Sequence, residues 1–154
     1  MSQARILVVD DEPFNLDIVA EYLDEMDFDL VMVDSGEAAW ETLVNPGPAF
    51  DLVLLDRMMP GLDGIMLLKR MKADERFASI PVIMQTAATS PEQIREGLAA
   101  GAFYYLTKPF EGEALQTIMR SALDDLRLRR ELTANLVDHA KALACLGEGE
   151  FVVR

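Results

Sequence analysis

The sequence predicts an α/β fold built on a parallel sheet. Five short apolar runs read as strands, five helical patterns alternate with them, and the joins between are short. Such alternation requires right-handed crossovers, which place helices on both faces of the sheet.

Composition sets the frame. A chain of 154 residues suits one domain with a little over, and 51% hydrophobic residues are enough for a packed core. Fourteen basic residues against 27 acidic ones give a formal charge of −13, which argues against direct contact with nucleic acid because phosphates would be repelled. The single cysteine, Cys145, excludes an internal disulfide and a cysteine-based zinc site. No apolar run approaches the roughly 20 residues of a membrane span. Met1 to Arg5 leads straight into strand-like sequence and does not read as a signal peptide, so the expected location is the cytoplasm.

Arg5 to Val9 is the first strand, and it ends in acid at Asp10, Asp11 and Glu12. Pro13 suits the first turn of a helix carrying Leu16, Val19, Ala20 and Leu23 at helical spacing. Asp29 to Val33 is the second strand. Ser35 and Glu37 then supply a cap and first-turn acid for a helix with Ala38, Ala39, Trp40 and Leu43, Trp40 packing toward the sheet. Asn45-Pro46-Gly47-Pro48 breaks that helix. Leu52 to Leu55 reads as a strand buried on both faces, stopping at Asp56, with the loop Met58 to Asp63 and a helix from Gly64 after it. Ser79 to Met84 is the fourth strand. Ser90-Pro91-Glu92 starts the next helix, which ends at Gly101. Phe103 to Leu106 is the fifth strand, with Thr107-Lys108-Pro109-Phe110 and a long helix from about Gly112 beyond it.

That last helix outruns a compact domain. Leu115, Met119, Ala122, Leu126, Arg129, Thr133, Leu136, Ala140 and Leu143 follow a heptad seam, weak in its middle, and a helix from Glu113 to Leu146 would be about 50 Å long. It could pair with a second copy, fold back on the sheet, or fray. The chain therefore divides into a domain over 1–125, a helical extension able to form a coiled coil over 126–146, and over 147–154 a tail or the start of a truncated output domain.

An acid at the carboxyl end of a parallel strand can be a metal ligand, a nucleophile or a helix cap, and that edge is where open α/β sheets bind ligands. The ends of the first, third, fourth and fifth strands decide. They carry Asp10 with Asp11, Asp56, Thr86 and Lys108. Three carboxylates brought together need a cation, and an all-oxygen donor set favours Mg²⁺. Lys108 adds a compact positive charge and Thr86 a hydroxyl donor. These groups match the needs of a phosphoryl group in transfer, with Asp56 as the nucleophile that forms an aspartyl phosphate. Gln85, before Thr86, reads as unremarkable; His139 reads as a solvated helix position, Cys145 as unreactive, and Arg127 to Glu131 as a mixed-charge face.

Four motifs, Val8-Val9-Asp10-Asp11-Glu12-Pro13, Leu54 to Gly64, Thr86-Ala87 and Lys108-Pro109-Phe110, resemble those of the response-regulator receiver domains of two-component signalling, over roughly residues 4 to 125. The resemblance implies a flavodoxin-like sheet in the order 2-1-3-4-5. It implies that Asp56 accepts a phosphoryl group from the phosphohistidine of a sensor histidine kinase or phosphotransfer protein. Mg²⁺ would be held by Asp10, Asp11, Asp56 and the backbone carbonyl of Met58. Thr86 would bond the phosphoryl group, Lys108 would pair with it, and Tyr105 would be the aromatic that turns inward on activation. A cis Lys108–Pro109 bond would aim the lysine.

On that reading the chain is a switch rather than a turnover enzyme. Phosphorylation would reshape the surface of the fourth helix, fifth strand and fifth helix and alter homodimer pairing through the extension, with no membrane partner. Two alternatives remain: a receiver-like module that is never phosphorylated, which the intact Asp56, Thr86 and Lys108 oppose, and a Mg²⁺-dependent phosphatase. The phosphatase needs an acid two residues after its nucleophile, where this chain has Met58. Met58 also cannot orient an attacking water, so self-dephosphorylation should be slow.

Overall fold

The computed structural model of the chain describes residues 3–87 and 90–147. The elements in order are β1 (Arg5–Val9), α1 (Pro13–Leu23), β2 (Asp29–Val33), α2 (Gly36–Val44), β3 (Leu52–Asp56), α3 (Gly64–Lys72), β4 (Val82–Thr86), α4 (Pro91–Ala99), β5 (Tyr104–Thr107) and α5 (Gly112–Gly147), with a short 3₁₀ turn at Asp24–Met26. The strands form one sheet in the order β2-β1-β3-β4-β5, every pairing parallel. This is the expected doubly wound architecture.

Strand alternation sorts the core into two layers. Ile6, Val8, Leu52, Leu54, Ile83 and Leu106 face α1 and the first half of α5, meeting Val19, Leu23, Leu115 and Met119. Leu7, Val9, Val53, Leu55 and Met84 face the other way, meeting Ala39 and Leu43 of α2 and Leu67, Leu68 and Met71 of α3. Trp40 packs on this second layer, edge-on to Phe77 with ring centroids 5.5 Å apart. β3 is buried at all five positions, as a central parallel strand must be.

Two of the caps, Ser35 and Ser90, are those the sequence names, and Asp63 is a third. Ser35 accepts from the Ala38 amide and Asp63 from that of Met66, while Ser90 and Gln93 form a reciprocal capping box. Pro13 and Pro91 sit in first turns, where a missing amide costs nothing.

Two strand boundaries differ from expectation. β4 starts at Val82, not Ser79, and runs on through Gln85 and Thr86. Ser79 and Ile80 belong to the turn that precedes it: the Ile80 amide donates to Phe77, and Lys72 Nζ donates to the Ala78 and Ile80 carbonyls at 3.0 Å. Pro81 has no amide to give a ladder, although its carbonyl accepts from Val53. β5 is likewise Tyr104–Thr107 rather than Phe103 to Leu106, because β4 pairs with it through Thr86 opposite Thr107.

α5 is a single helix of 36 residues, about 54 Å long. Leu115, Met119, Ala122 and Leu126 are buried in the helix's own domain, so the upper half of the heptad seam is already occupied. From Arg127 to Ala142 the helix is exposed; of its bare apolar residues, Leu128 and Leu132 lie one position off the expected Arg129 and Thr133, while Leu136 falls on the expected seam with Val137 beside it. Arg129 instead reaches back to the Ser79 carbonyl and Arg130 to Asp51. The tail expected over 147–154 lies outside the described residues after Gly147.

Candidate functional site: the acidic cluster at the carboxyl edge of the sheet

Four adjacent strands end at one place. Asp10 follows β1, Asp56 closes β3, Thr86 closes β4, and Lys108 follows β5. The ends are tied across the sheet: the Arg57 amide donates to Gln85, and the Lys108 amide to Thr86 at 2.8 Å. The Lys108–Pro109 bond is cis. Asp10 accepts from the Glu12 amide at 3.0 Å, which holds its carboxylate over the start of α1. Past Asp56 the chain turns through Gly61, whose φ of +74° suits a residue without Cβ, and Glu37 on α2 pins this loop by accepting from the Leu62 amide at 3.0 Å.

The side chains of Asp10, Asp11, Asp56 and Lys108 converge. Carboxylate oxygens of Asp10, Asp11 and Asp56 lie within 4.8 Å of one another. Lys108 Nζ stands 3.0 Å from Asp10 Oδ2 and 3.6 Å from Asp56 Oδ2. Asp10 is 0% and Asp56 4% exposed, so water screens neither charge well. Burial first, then the charge of Asp10, push the Asp56 carboxyl up to about 7, against the opposing pull of Lys108 and of the Met58 amide, which donates to it at 3.3 Å. Thr86 is fully buried at the end of β4. The side chain of Met58 is exposed.

Near-contact of three carboxylates, with no histidine or cysteine among them, fits a hard divalent cation. The raised Asp56 shows the same need from another side: one ammonium does not offset the carboxylates facing it.

Tyr105 lies buried on the opposite face of the sheet, with its hydroxyl 3.4 Å from Arg57. His139 and Cys145, on the exposed half of α5, are far along the chain from this edge and belong to no cluster of ligating groups among the described residues.

Two residues emerge that the sequence reading passed over. Gln85 is not unremarkable: it is 1% exposed, and its Nε2 lies 3.5 Å from Asp10 Oδ2. Its register explains this. Gln85 pairs with Asp56, so the two side chains share a face, and an amide directly after the apolar run Val82 to Met84 is the available signal. Arg57 is the other, half-buried on the reverse face and bonded to α4. Its neighbours on α4 are more than thirty residues away in sequence, and no local pattern announces them.

Comparison with known proteins agrees with the geometry. The family model for the response regulator receiver domain matches residues 6–120. The DNA-binding dual master transcriptional regulator RpaA of Synechocystis is 37% identical over 119 residues, covering 77% of this chain and 48% of RpaA. The chain thus spans about half the length of that relative. Among solved structures, the chemotaxis protein CheY4 of Vibrio cholerae superposes with a TM-score of 0.73 at 29% identity, covering 79% of this chain and 100% of CheY4. The BeF3-activated receiver domain of DrrB does so with a TM-score of 0.71 at 29% identity, covering 80% of this chain and 99% of that one. With its five-stranded order, its edge cluster and this match over residues 6–120, the chain belongs to the response-regulator receiver domain family.

Proposed function

We propose that the chain is a phosphorylation-operated signalling switch in the cytoplasm, with Asp56 as its phosphoacceptor and Mg²⁺ as its cofactor. The observation that carries this is the meeting of Asp10, Asp11, Asp56 and Lys108 at one strand edge, three acids within 4.8 Å and an ammonium beside two of them.

The donor is the phosphohistidine of a sensor histidine kinase or phosphotransfer protein. In the transfer, an Asp56 carboxylate oxygen forms a P–O bond as the P–N bond breaks, and the electron pair leaves with the imidazole nitrogen. Asp10, Asp11, Asp56 and the Met58 carbonyl would hold Mg²⁺, which when bound would offset the charge on phosphoryl oxygens and favour ionised Asp56. Lys108 pairs with the phosphoryl group, and the Thr86 hydroxyl donates to it. Lys108 is poised for this, because its present partners are the two acids the new group would displace it from.

The switch is read on the face of α4, β5 and α5, with Tyr105 as the reporting aromatic. Phosphorylation brings about 1.5 to 2 negative charges to the end of β3, and the phosphoryl oxygens become new acceptors for Thr86 and Lys108. α5 leads from this face into its exposed half, where Leu128, Leu132 and Leu136 lie bare. Pairing of two copies through that half, as a coiled coil, is the output of residues 126–146, with 1–125 as the switch domain. Most helical stability comes from packing an apolar face, which favours a partnered extension.

RpaA is named as DNA-binding, yet this chain's charge of −13 opposes direct contact with nucleic acid. Any such contact falls to another domain or a partner. No helix among the described residues is long and apolar enough to cross a membrane. The unphosphorylated-module and phosphatase readings gain no specific support, since the acid cluster is complete and Met58 offers no proton.

Incubation with a small phosphodonor and Mg²⁺, read by intact mass, tests the proposal. A gain of one phosphoryl group that is lost in Asp56→Asn is the expected result. An unmodified chain overturns it, and continuous turnover would establish the phosphatase instead.

A further inference from the structure

α4 is lightly anchored. It buries Gly97, and its partly buried Ile94 adds apolar contact with the layer below. Gly97 lies against the Tyr105 ring so closely that a Cβ there would sit 2.6 Å from a ring carbon. The second anchor is polar and comes from the strand that ends at Asp56. Arg57, with a side chain 11% exposed, donates from Nη1 to the Gln93 carbonyl at 2.9 Å and to the Tyr105 hydroxyl at 3.4 Å, and it pairs through Nη2 with Glu96. Its own backbone is held by the Gln85 carbonyl. One end of the link is therefore fixed to the sheet, and the other grips α4.

Both anchors meet at Tyr105, one at its ring and one at its hydroxyl. Outward rotation of the ring would empty the space under Gly97 and strip a partner from a guanidinium that water reaches poorly. Ring rotation and release of α4 are thereby a single event, and Arg57 opposes it.

We propose that Arg57 is a positioning residue that holds α4 on the sheet with Tyr105 buried, and so sets the resting balance of the switch beside the phosphoacceptor. Arg57 follows Asp56 directly but points to the reverse face of the sheet. It thus joins the strand end that carries the acid to the helix that reports on it, without entering the site. Its effect on phosphoryl binding rests on the proposed function; its grip on α4 does not. By linkage, whatever favours buried Tyr105 favours a ligand that selects that state by the same factor.

The test compares wild type with Arg57→Ala, Arg57→Lys and the charge swap Arg57→Glu with Glu96→Arg. Amide hydrogen exchange of unphosphorylated protein is followed along the chain, and affinity for beryllofluoride with Mg²⁺ is titrated. Arg57→Ala is expected to speed exchange across α4 roughly tenfold with β1 and β3 unchanged, and to weaken beryllofluoride binding by a similar factor. The lysine, lacking the fork that reaches several acceptors, recovers part of the loss, and the charge swap recovers the Glu96 contact. Unchanged α4 exchange in Arg57→Ala overturns the proposal, as does faster exchange spread evenly over the whole domain. If wild type binds no beryllofluoride, the phosphoryl reading falls, and the exchange measurement alone decides the role of Arg57.

Discussion

The two ends of the sheet handle charge in opposite ways. At the amino end, charges pair one to one at the surface: Arg130 with Asp51 at 3.0 Å, Arg129 with Asp125 at 3.0 Å, and Arg5 with Asp29 at 3.8 Å. Arg5 also stacks over the Phe50 ring at 4.7 Å, with its buried Nε unpartnered. At the carboxyl end, Asp10, Asp11 and Asp56 crowd within 4.8 Å, and Asp10 and Asp56 share one lysine. The first arrangement stabilises the fold or leaves it unmoved. The second raises Asp56 to about 7 and is a liability to the bare fold. Like charges gathered under cover, where paired ones would be cheaper, mark the end that performs chemistry.

That contrast can be broken by mutation. Asp56→Asn should have the largest effect. Because folding raises the Asp56 pKa from the model-peptide value of 3.8 to about 7, the native state holds more protons than the unfolded one between those values. The ionised carboxyl therefore costs stability that grows as pH rises from about 4 to about 7 and then levels. In metal-free protein, Asp56→Asn should gain about 2–3 kcal/mol more at pH 8 than at pH 5 in denaturant titrations, and excess Mg²⁺ should shrink the difference. An equal gain at both values would show that the carboxylates do not strain each other.

Lys108→Ala comes next. Removing the ammonium leaves Asp10 and Asp56 facing each other, at a cost of about 2 kcal/mol in metal-free protein, and Mg²⁺ should recover more stability in the variant than in wild type. Met58→Asn sharpens the functional half of the comparison. A polar side chain there can orient water, so the phosphorylated lifetime should shorten roughly tenfold by intact-mass time course; an unchanged lifetime removes Met58 from the account. The smallest effect belongs to the amino end. Arg130 and Asp51 form an exposed pair, and Arg130→Ala should cost less than about 1 kcal/mol and leave phosphorylation untouched. A larger loss would mean that this pair holds the extension of α5 in place.

The legible part of this protein was local. Four apolar residues before Asp56, the Ser35 and Ser90 caps, and the alternation of short elements each act within a few residues, and each appears as expected. The start of β4 is not legible, because apolar Ile80 resembles strand while its hydrogen bonds lie in a turn held by Lys72. The heptad along α5 reads as one seam, yet its first half packs on the domain that carries the helix, and beyond it Leu128 and Leu132 lie bare one position from Arg129 and Thr133 while Leu136 keeps to the seam. A periodicity says that a face is apolar without saying what covers it.

Sequence alone determined that acids, a hydroxyl and a lysine would end the first, third, fourth and fifth strands, because strand length and loop chemistry are settled by neighbouring residues. Only the tertiary structure decided which of them touch. The place of Gln85 beside Asp10 depends on strand register, and the grip of Arg57 on Glu96 depends on where α4 docks. Both are contacts between distant segments, and packing, not local preference, selects them.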